Sequence, residues 1–163
     1  MSNRTAWTGG NLNTGLSWTA AFNGSDINSM PTTDSVLSTV TAWANGTALD
    51  QFMDISVICA ITSSAVAAGA NFGFWIANLE GNGTTYGDGL LTAGTQAALT
   101  PAWYPICSIP LYASTRTSLV GSATGLLIPP GSFALIMQNN SGFTLSSSGN
   151  AVYMRTYNQN LNN

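Results

Sequence analysis

The sequence predicts an all-β protein with one domain, on three observations. Helix-forming surface residues are nearly absent, with one Glu, three Arg and no Lys among 163 residues. Ser, Thr and Asn replace them, and these favour turns, caps and hydroxyl-covered strand faces over helix interiors. Short apolar runs alternate with polar residues and are separated by Gly, Pro and Asn clusters along the chain. Five Trp, five Tyr and six Phe supply the large core residues that a disordered chain of similar polarity would lack.

Residues 1–30 read as an extended N-terminal arm, rich in Gly, Asn, Thr and Ser, with Trp7, Leu12, Leu16, Trp18 and Phe22 as isolated anchors. Pro31 marks the expected boundary, and residues 31–163 the single β-sandwich domain. Val36–Trp43 alternates as a strand should, and Asn45-Gly46 follows as a turn signal. In the next strand, Phe52–Ile61, Met53, Ile55, Val57, Cys59 and Ile61 share one wholly apolar face and should point into the core. Phe52, Asp54, Ser56 and Ile58 take the other face.

Asn71–Leu79 is apolar on both parities, so both faces should be covered. A glycine-rich loop, Glu80–Asp88, comes after it. Trp103–Tyr112 has Pro101, Pro105 and Pro110 in or beside it. Proline donates nothing to a ladder, so this is an expected edge strand. Leu126-Leu127-Ile128 leads through Pro129-Pro130-Gly131 into Ser132–Gln138, and the last strand is Ala151–Tyr157. In that strand Val152, Met154 and Thr156 face one way, and Tyr153, Arg155 and Tyr157 the other. About eight strands result, the number of a jelly-roll-like sandwich.

Charge is scarce. Only 6 % of residues are charged, against roughly 25 % in ordinary domains, and there is no His. Imidazole bases, Ser-His and Cys-His pairs, Schiff-base lysines and His metal ligands are therefore excluded. Three arginines cannot neutralise a run of phosphates, so nucleic acid is not an expected partner. No stretch reaches the ~18 apolar residues of a membrane span, and the first residues lack a signal-peptide core. Synthesis in a cytoplasm is expected, with the chain staying there or released by lysis or assembly, and no membrane partner is expected. Cys59 and Cys107 sit in apolar runs and are read as free thiols, a disulfide being the alternative. Glycosylation sequons beginning at Asn23, Asn45 and Asn139, among others, are what chance gives in so Asn- and Thr-rich a chain.

Few constellations carry chemistry. Asp50 and Asp54 would share a strand face, as paired glycosidase carboxylates could. A solvated strand end explains them equally well. The loop from Glu80 to Asp88 offers oxygens to a hard cation, but without the dense carboxylates of a Ca²⁺ loop. No catalytic residue, cofactor or metal is expected, and the protein is read as non-enzymatic. The interface candidates are Trp7, Trp18, Trp103, Arg4, Arg116 and Arg155: aromatic anchors are common hot spots, and each guanidinium in a neutral surface should seek a carboxylate. Trp43 and Trp75 are expected in the core.

Several pieces together resemble one family. They are Met53–Ile61, Phe74-Trp75-Ile76-Ala77-Asn78 with Gly83–Gly89, Leu127–Phe133, Ile136–Gly142 and Ala151–Asn158. They look like the small all-β structural proteins that decorate or cement the capsids of tailed phages. The resemblance covers residues 36–158. It implies a jelly-roll-like sandwich, a homotrimer, the major capsid protein as partner, and a place on the virion surface. The rival expectations are a carbohydrate- or receptor-binding head of a phage fibre, which the Trp, Tyr, Asn and Thr content suits, and a coat subunit.

Overall fold

The computed structural model describes residues 4–10, 16–40, 43–61, 66–80, 86, 93–98, 105–112 and 118–162. They form two antiparallel sheets packed face to face. The first contains β1 (Arg4–Gly9), β2 (Thr19–Ala20), β5 (Phe52–Ala60), β8 (Ser118–Leu127) and β10 (Ala151–Asn162). Its order is β1-β10-β5-β8, with β2 also pairing β10. The second contains β3 (Ser35–Leu37), β4 (Trp43–Ala44), β6 (Asn71–Asn78), β7 (Pro105–Pro110) and β9 (Ser132–Asn140). Its order is β3-β9-β6-β7, with β4 also on β9. Two single helical turns, α1 (Gly24–Ile27) and α2 (Asn45–Ala48), interrupt the strands.

The core follows from period-two alternation. Met53, Ile55, Val57 and Cys59 of β5 and Val152 and Met154 of β10 point inward from the first sheet. Phe72, Phe74 and Ile76 of β6 and Phe133, Leu135 and Met137 of β9 meet them from the second. The expected inward face of β5 is therefore the observed one. Asn71–Leu79 is covered on both sides as expected, because a second cluster of Leu37, Ala77, Ala134 and Ile136 lies on the outer face of the second sheet. Trp75, Tyr86 and Ala97 pack over that cluster. The Trp75 indole folds across Gly73, where any Cβ would collide with it. Strand β7 is paired with β6 alone among the described residues, and its exposed prolines sit at that edge, where a missing donor costs no ladder bond.

Three expectations are corrected. Val36–Trp43 is not one strand but β3 and β4. The hydroxyl of Ser38 donates to the Ala21 carbonyl and accepts the Val40 N–H. The next N–H, of Thr39, goes to the Asp26 carboxylate at 2.9 Å. Side chains thus take backbone bonds that a ladder would need. Asn45-Gly46 opens α2 rather than a hairpin. The buried Asn45 amide donates to the carbonyls of Asp50 and Pro129 and accepts the Asp50 N–H, tying that turn to the β8–β9 corner.

The third correction concerns residues 1–30. The described ones, 4–10 and 16–30, are built into the sandwich and do not form a separate arm. β1 pairs β10 from Arg4↔Asn162 to Gly9↔Tyr157, which also carries the last strand past Tyr157. Ala21, Phe22, Ile27 and Met30 belong to the main core. Of the apolar residues read as isolated anchors, Phe22 is buried in the core whereas Leu16 and Trp18 stay 48 % and 42 % exposed, and the backbone of β1 is held by pairing along β10.

Candidate functional site

The outward face of the first sheet holds a polar cluster centred on Asp54. Strands β5 and β10 place Asp54 directly opposite Arg155, and Phe52 opposite Tyr157. Arg155 Nε donates to Asp54 Oδ2 at 2.8 Å. Tyr157 lies two residues further on the same face, and its hydroxyl donates to Asp54 Oδ1 at 2.9 Å. Its ring stacks on Phe52 with centroids 5.7 Å apart.

A third donor comes from the other neighbour of β5. The β5–β8 register slips between Met53, which faces Leu126, and Ile55, which faces Ala123. Thr124 and Gly125 together oppose Asp54, the two-against-one count of a β-bulge. Gly125 has φ +71°, a left-handed conformation natural to glycine. The bulge turns its N–H to Asp54 Oδ1 at 3.0 Å. The carboxylate is 2 % exposed and is held by three donors on two oxygens.

Trp18 completes the cluster. The pairing of β2 with β10, Thr19↔Met154 and Ala20↔Tyr153, carries it alongside Arg155. The guanidinium carbon lies 4.7 Å from the indole centroid, a cation–π distance. Trp18 remains 42 % exposed. Beside it is a cavity of about 330 Å³ lined by Leu16, Asp54, Thr124, Arg155 and Tyr157. Burial, with the hydrogen bond to Asp54 and its negative charge, raises the Tyr157 pKa, so the phenol stays a donor. Only Nε of Arg155 is spent on Asp54, and the side chain is 33 % exposed, so its terminal amino groups serve as further donors at the cavity. The ion pair carries no net charge. The arrangement is suited to holding a neutral polar group against apolar walls.

Two of the six interface candidates, Trp18 and Arg155, are thus brought together. Arg155 has its carboxylate within the chain. Arg4 and Trp7 lie on β1, with backbones opposite Asn162 and Gln159. Their side chains, and Trp103 and Arg116 entirely, lie outside the described residues, as does most of the Glu80–Asp88 loop. Trp43 is in the main core, while Trp75 covers the outer face of the second sheet.

The aspartates are not a solvated strand end. Asp50 is buried and accepts from the Asn158 side chain at 3.0 Å, whereas Asp54 serves the Arg155 cluster. Cys59 and Cys107 are free thiols, on β5 and β7 of opposite sheets. Asn45 and Asn139 are fully buried, so their sequons are not glycan acceptors in the folded chain. Sequence reasoning missed Tyr157, Thr124 and Gly125 as members of the site. A glycine inside an otherwise regular strand was the available signal for the bulge.

No protein-family model, curated protein or solved structure matches this chain.

Proposed function

We propose that this protein is a non-enzymatic virion structural protein, a decoration or cement protein that binds the outside of a phage capsid as a homotrimer. The observation that carries this reading is the withdrawal of charge from an already charge-poor surface. Asp26, Asp50 and Asp54 are buried, and Arg155 is tied to Asp54. Among the described residues, Glu80 is the exposed acidic side chain and Asp34 is half-buried. Leu49, Tyr112, Val120 and Leu127 are each more than half exposed. Such a surface has little electrostatic protection against association and fits a protein that lives among neighbours. Many copies on one shell can use neutral, wet contacts and gain strength from multivalency.

The strand order supports the finer reading of the sandwich as a jelly roll. Taking β1 with β2 and β3 with β4 as split strands leaves eight. Renumbered, they run one-eight-three-six in the first sheet and two-seven-four-five in the second. This order is consistent with two wrapped Greek keys, as in the jelly rolls of viral capsid and lectin domains. Fold alone does not choose among their functions, so the reading rests on the charge-poor surface.

Purified protein mixed with undecorated phage capsids is the test. Saturable co-sedimentation at a fixed copy ratio, with shells that resist heat better, is expected. Shells that neither take up the protein nor gain heat resistance sink the proposal. Closed shells formed by the chain alone would replace it with a coat-subunit role. Sedimentation equilibrium checks the trimer.

A further inference from the structure

We propose that the cavity beside Arg155 is a binding site for a neutral sugar ring. This inference does not rest on the capsid reading. The cavity, about 330 Å³, is at the small end of ligand sites, which run from roughly 300 to 1,000 Å³. It is large enough for a single ring and too small for a long chain.

The lining dictates the ligand chemistry. Leu16 and the Tyr157 ring give apolar wall, as the C–H face of a sugar requires, and the half-exposed Trp18 flanks the guanidinium. Thr124 contributes a hydroxyl that can donate or accept. The terminal amino groups of Arg155 give several donors in a fixed plane, spaced to meet neighbouring hydroxyl oxygens. Asp54 lines the cavity, and its two oxygens, with about four acceptor positions, take three donors among the described residues, which leaves acceptor capacity for a ligand O–H. A hydroxyl is the group that can accept from Arg155 and donate to Asp54 at once.

Electrostatics select against the obvious rival. An anion would gain from Arg155 but would also approach the Asp54 carboxylate held 2.8 Å from the same guanidinium. The pair is neutral, so a carboxylate or phosphate finds no net attraction, while a neutral polyol is not repelled. A purely apolar ligand would strip water from the arginine and return no hydrogen bond. The site is also stiff. Two strands, a bulge and a ring stack hold its groups, so little ordering is lost on binding.

The 163-residue chain is titrated with a panel of neutral monosaccharides: glucose, galactose, mannose, fucose and N-acetylglucosamine. Acetate and glucuronate serve as anionic probes, and the Trp18 indole N–H is followed by NMR. At least one neutral sugar should shift that resonance saturably, with a Kd in the millimolar range or tighter. Trp18→Ala and Arg155→Met should each weaken binding about tenfold or more, and Thr124→Val about threefold. Trp18 and Thr124 are exposed, so their variants should keep the fold and the test does not depend on Arg155→Met alone. The inference is overturned if no neutral sugar shifts the indole, if glucuronate or acetate binds as well as the best neutral sugar, or if sugar binding survives Trp18→Ala and Thr124→Val unchanged. Capsids are absent from this assay, so its failure and the failure of capsid uptake are separate results.

Discussion

The outer faces of the two sheets are built in opposite ways. The second sheet is roofed by its own chain. Ala97 bridges Ser35, Ala93 bridges Leu37, and Tyr86 and Trp75 cover Ala77, Ala134 and Ile136. Its central strand β9 is buried on both faces from Phe133 to Asn139. The first sheet has no such roof among the described residues. Ile58 and Val120, paired across β5 and β8, stay exposed, and the Arg155 cluster sits a few residues along the same face. One sheet covers its outer face with its own chain, and the other leaves its outer face open among the described residues. The open face is the one that carries the cavity beside Arg155.

Removing a side chain from each outer face tests the asymmetry most directly. Ile136→Ala opens a void under the roof and should cost about 2–5 kcal/mol, the usual range for a fully buried aliphatic. Ile58→Ala, on the other face, should cost under about 1 kcal/mol, because its side chain is 40 % exposed. Urea midpoints of the two variants give the comparison. Equal losses would mean that the first sheet is covered as well, by a second copy or by the rest of the chain. Measuring over a range of protein concentrations tells these apart.

Asp54→Asn probes the polar centre of the open face. The amide keeps the size of the carboxylate but puts an NH2 in place of one oxygen, so either Arg155 on one side or Tyr157 and Gly125 on the other face a donor instead of an acceptor. The expected loss is about 1–3 kcal/mol, below that of a fully enclosed ion pair because Arg155 is one-third exposed. Arg155→Met in the same background should then cost less than in the wild type. Additive losses in this cycle would show that the pair contributes little as a pair.

Alkali should act from inside, through the core that both sheets share. Burial pushes the Cys59 thiol from 9.0 up to about 12. The folded protein therefore holds a proton that the unfolded chain releases above pH 9. The unfolded state binds fewer protons, so stability is intact below that pH and falls as pH rises towards about 12. The slope is about 1.4 kcal/mol per pH unit for one such group. Chemical denaturation between neutrality and pH 11 should show the decline, and Cys59→Ala should make it shallower. An unchanged slope in that variant would place the alkaline sensitivity at Cys107 or the raised tyrosines instead.

Much of the sandwich was legible in the sequence because alternation reports burial locally. The apolar parity of Met53–Ile61, the two-sided cover of Asn71–Leu79 and the proline-marked edge all needed only neighbours in the chain. What was illegible depended on distant partners. Thr39 leaves its ladder for Asp26, which no strand pattern announces. The leading segment, polar enough to pass for an arm, is held by the far end of β10. Asp54 and Arg155 were each conspicuous as rare charges, yet they are 101 residues apart, and their meeting requires the β5–β10 register. Tyr157 carried no signal beyond its spacing of two from Arg155.

Gly125 links the backbone of the open face to its chemistry, and Gly142, just beyond β9 on the roofed sheet, is its natural control. Both have positive φ, +71° and +85°. An added Cβ would meet nothing within 4 Å at Gly142 and only the Tyr157 hydroxyl, at 4.0 Å, at Gly125. Alanine at either site is therefore a matter of backbone strain, costing about 1 kcal/mol. The two variants should lower the urea midpoint alike. They should differ at the site, because only the Gly125 bulge aims an N–H at Asp54. Gly125→Ala should move the Trp18 indole resonance and weaken any sugar bound there, and Gly142→Ala should do neither. If both leave the indole unmoved, the bulge shapes the strand without positioning the carboxylate, and the stiffness claimed for the cavity loses one of its supports.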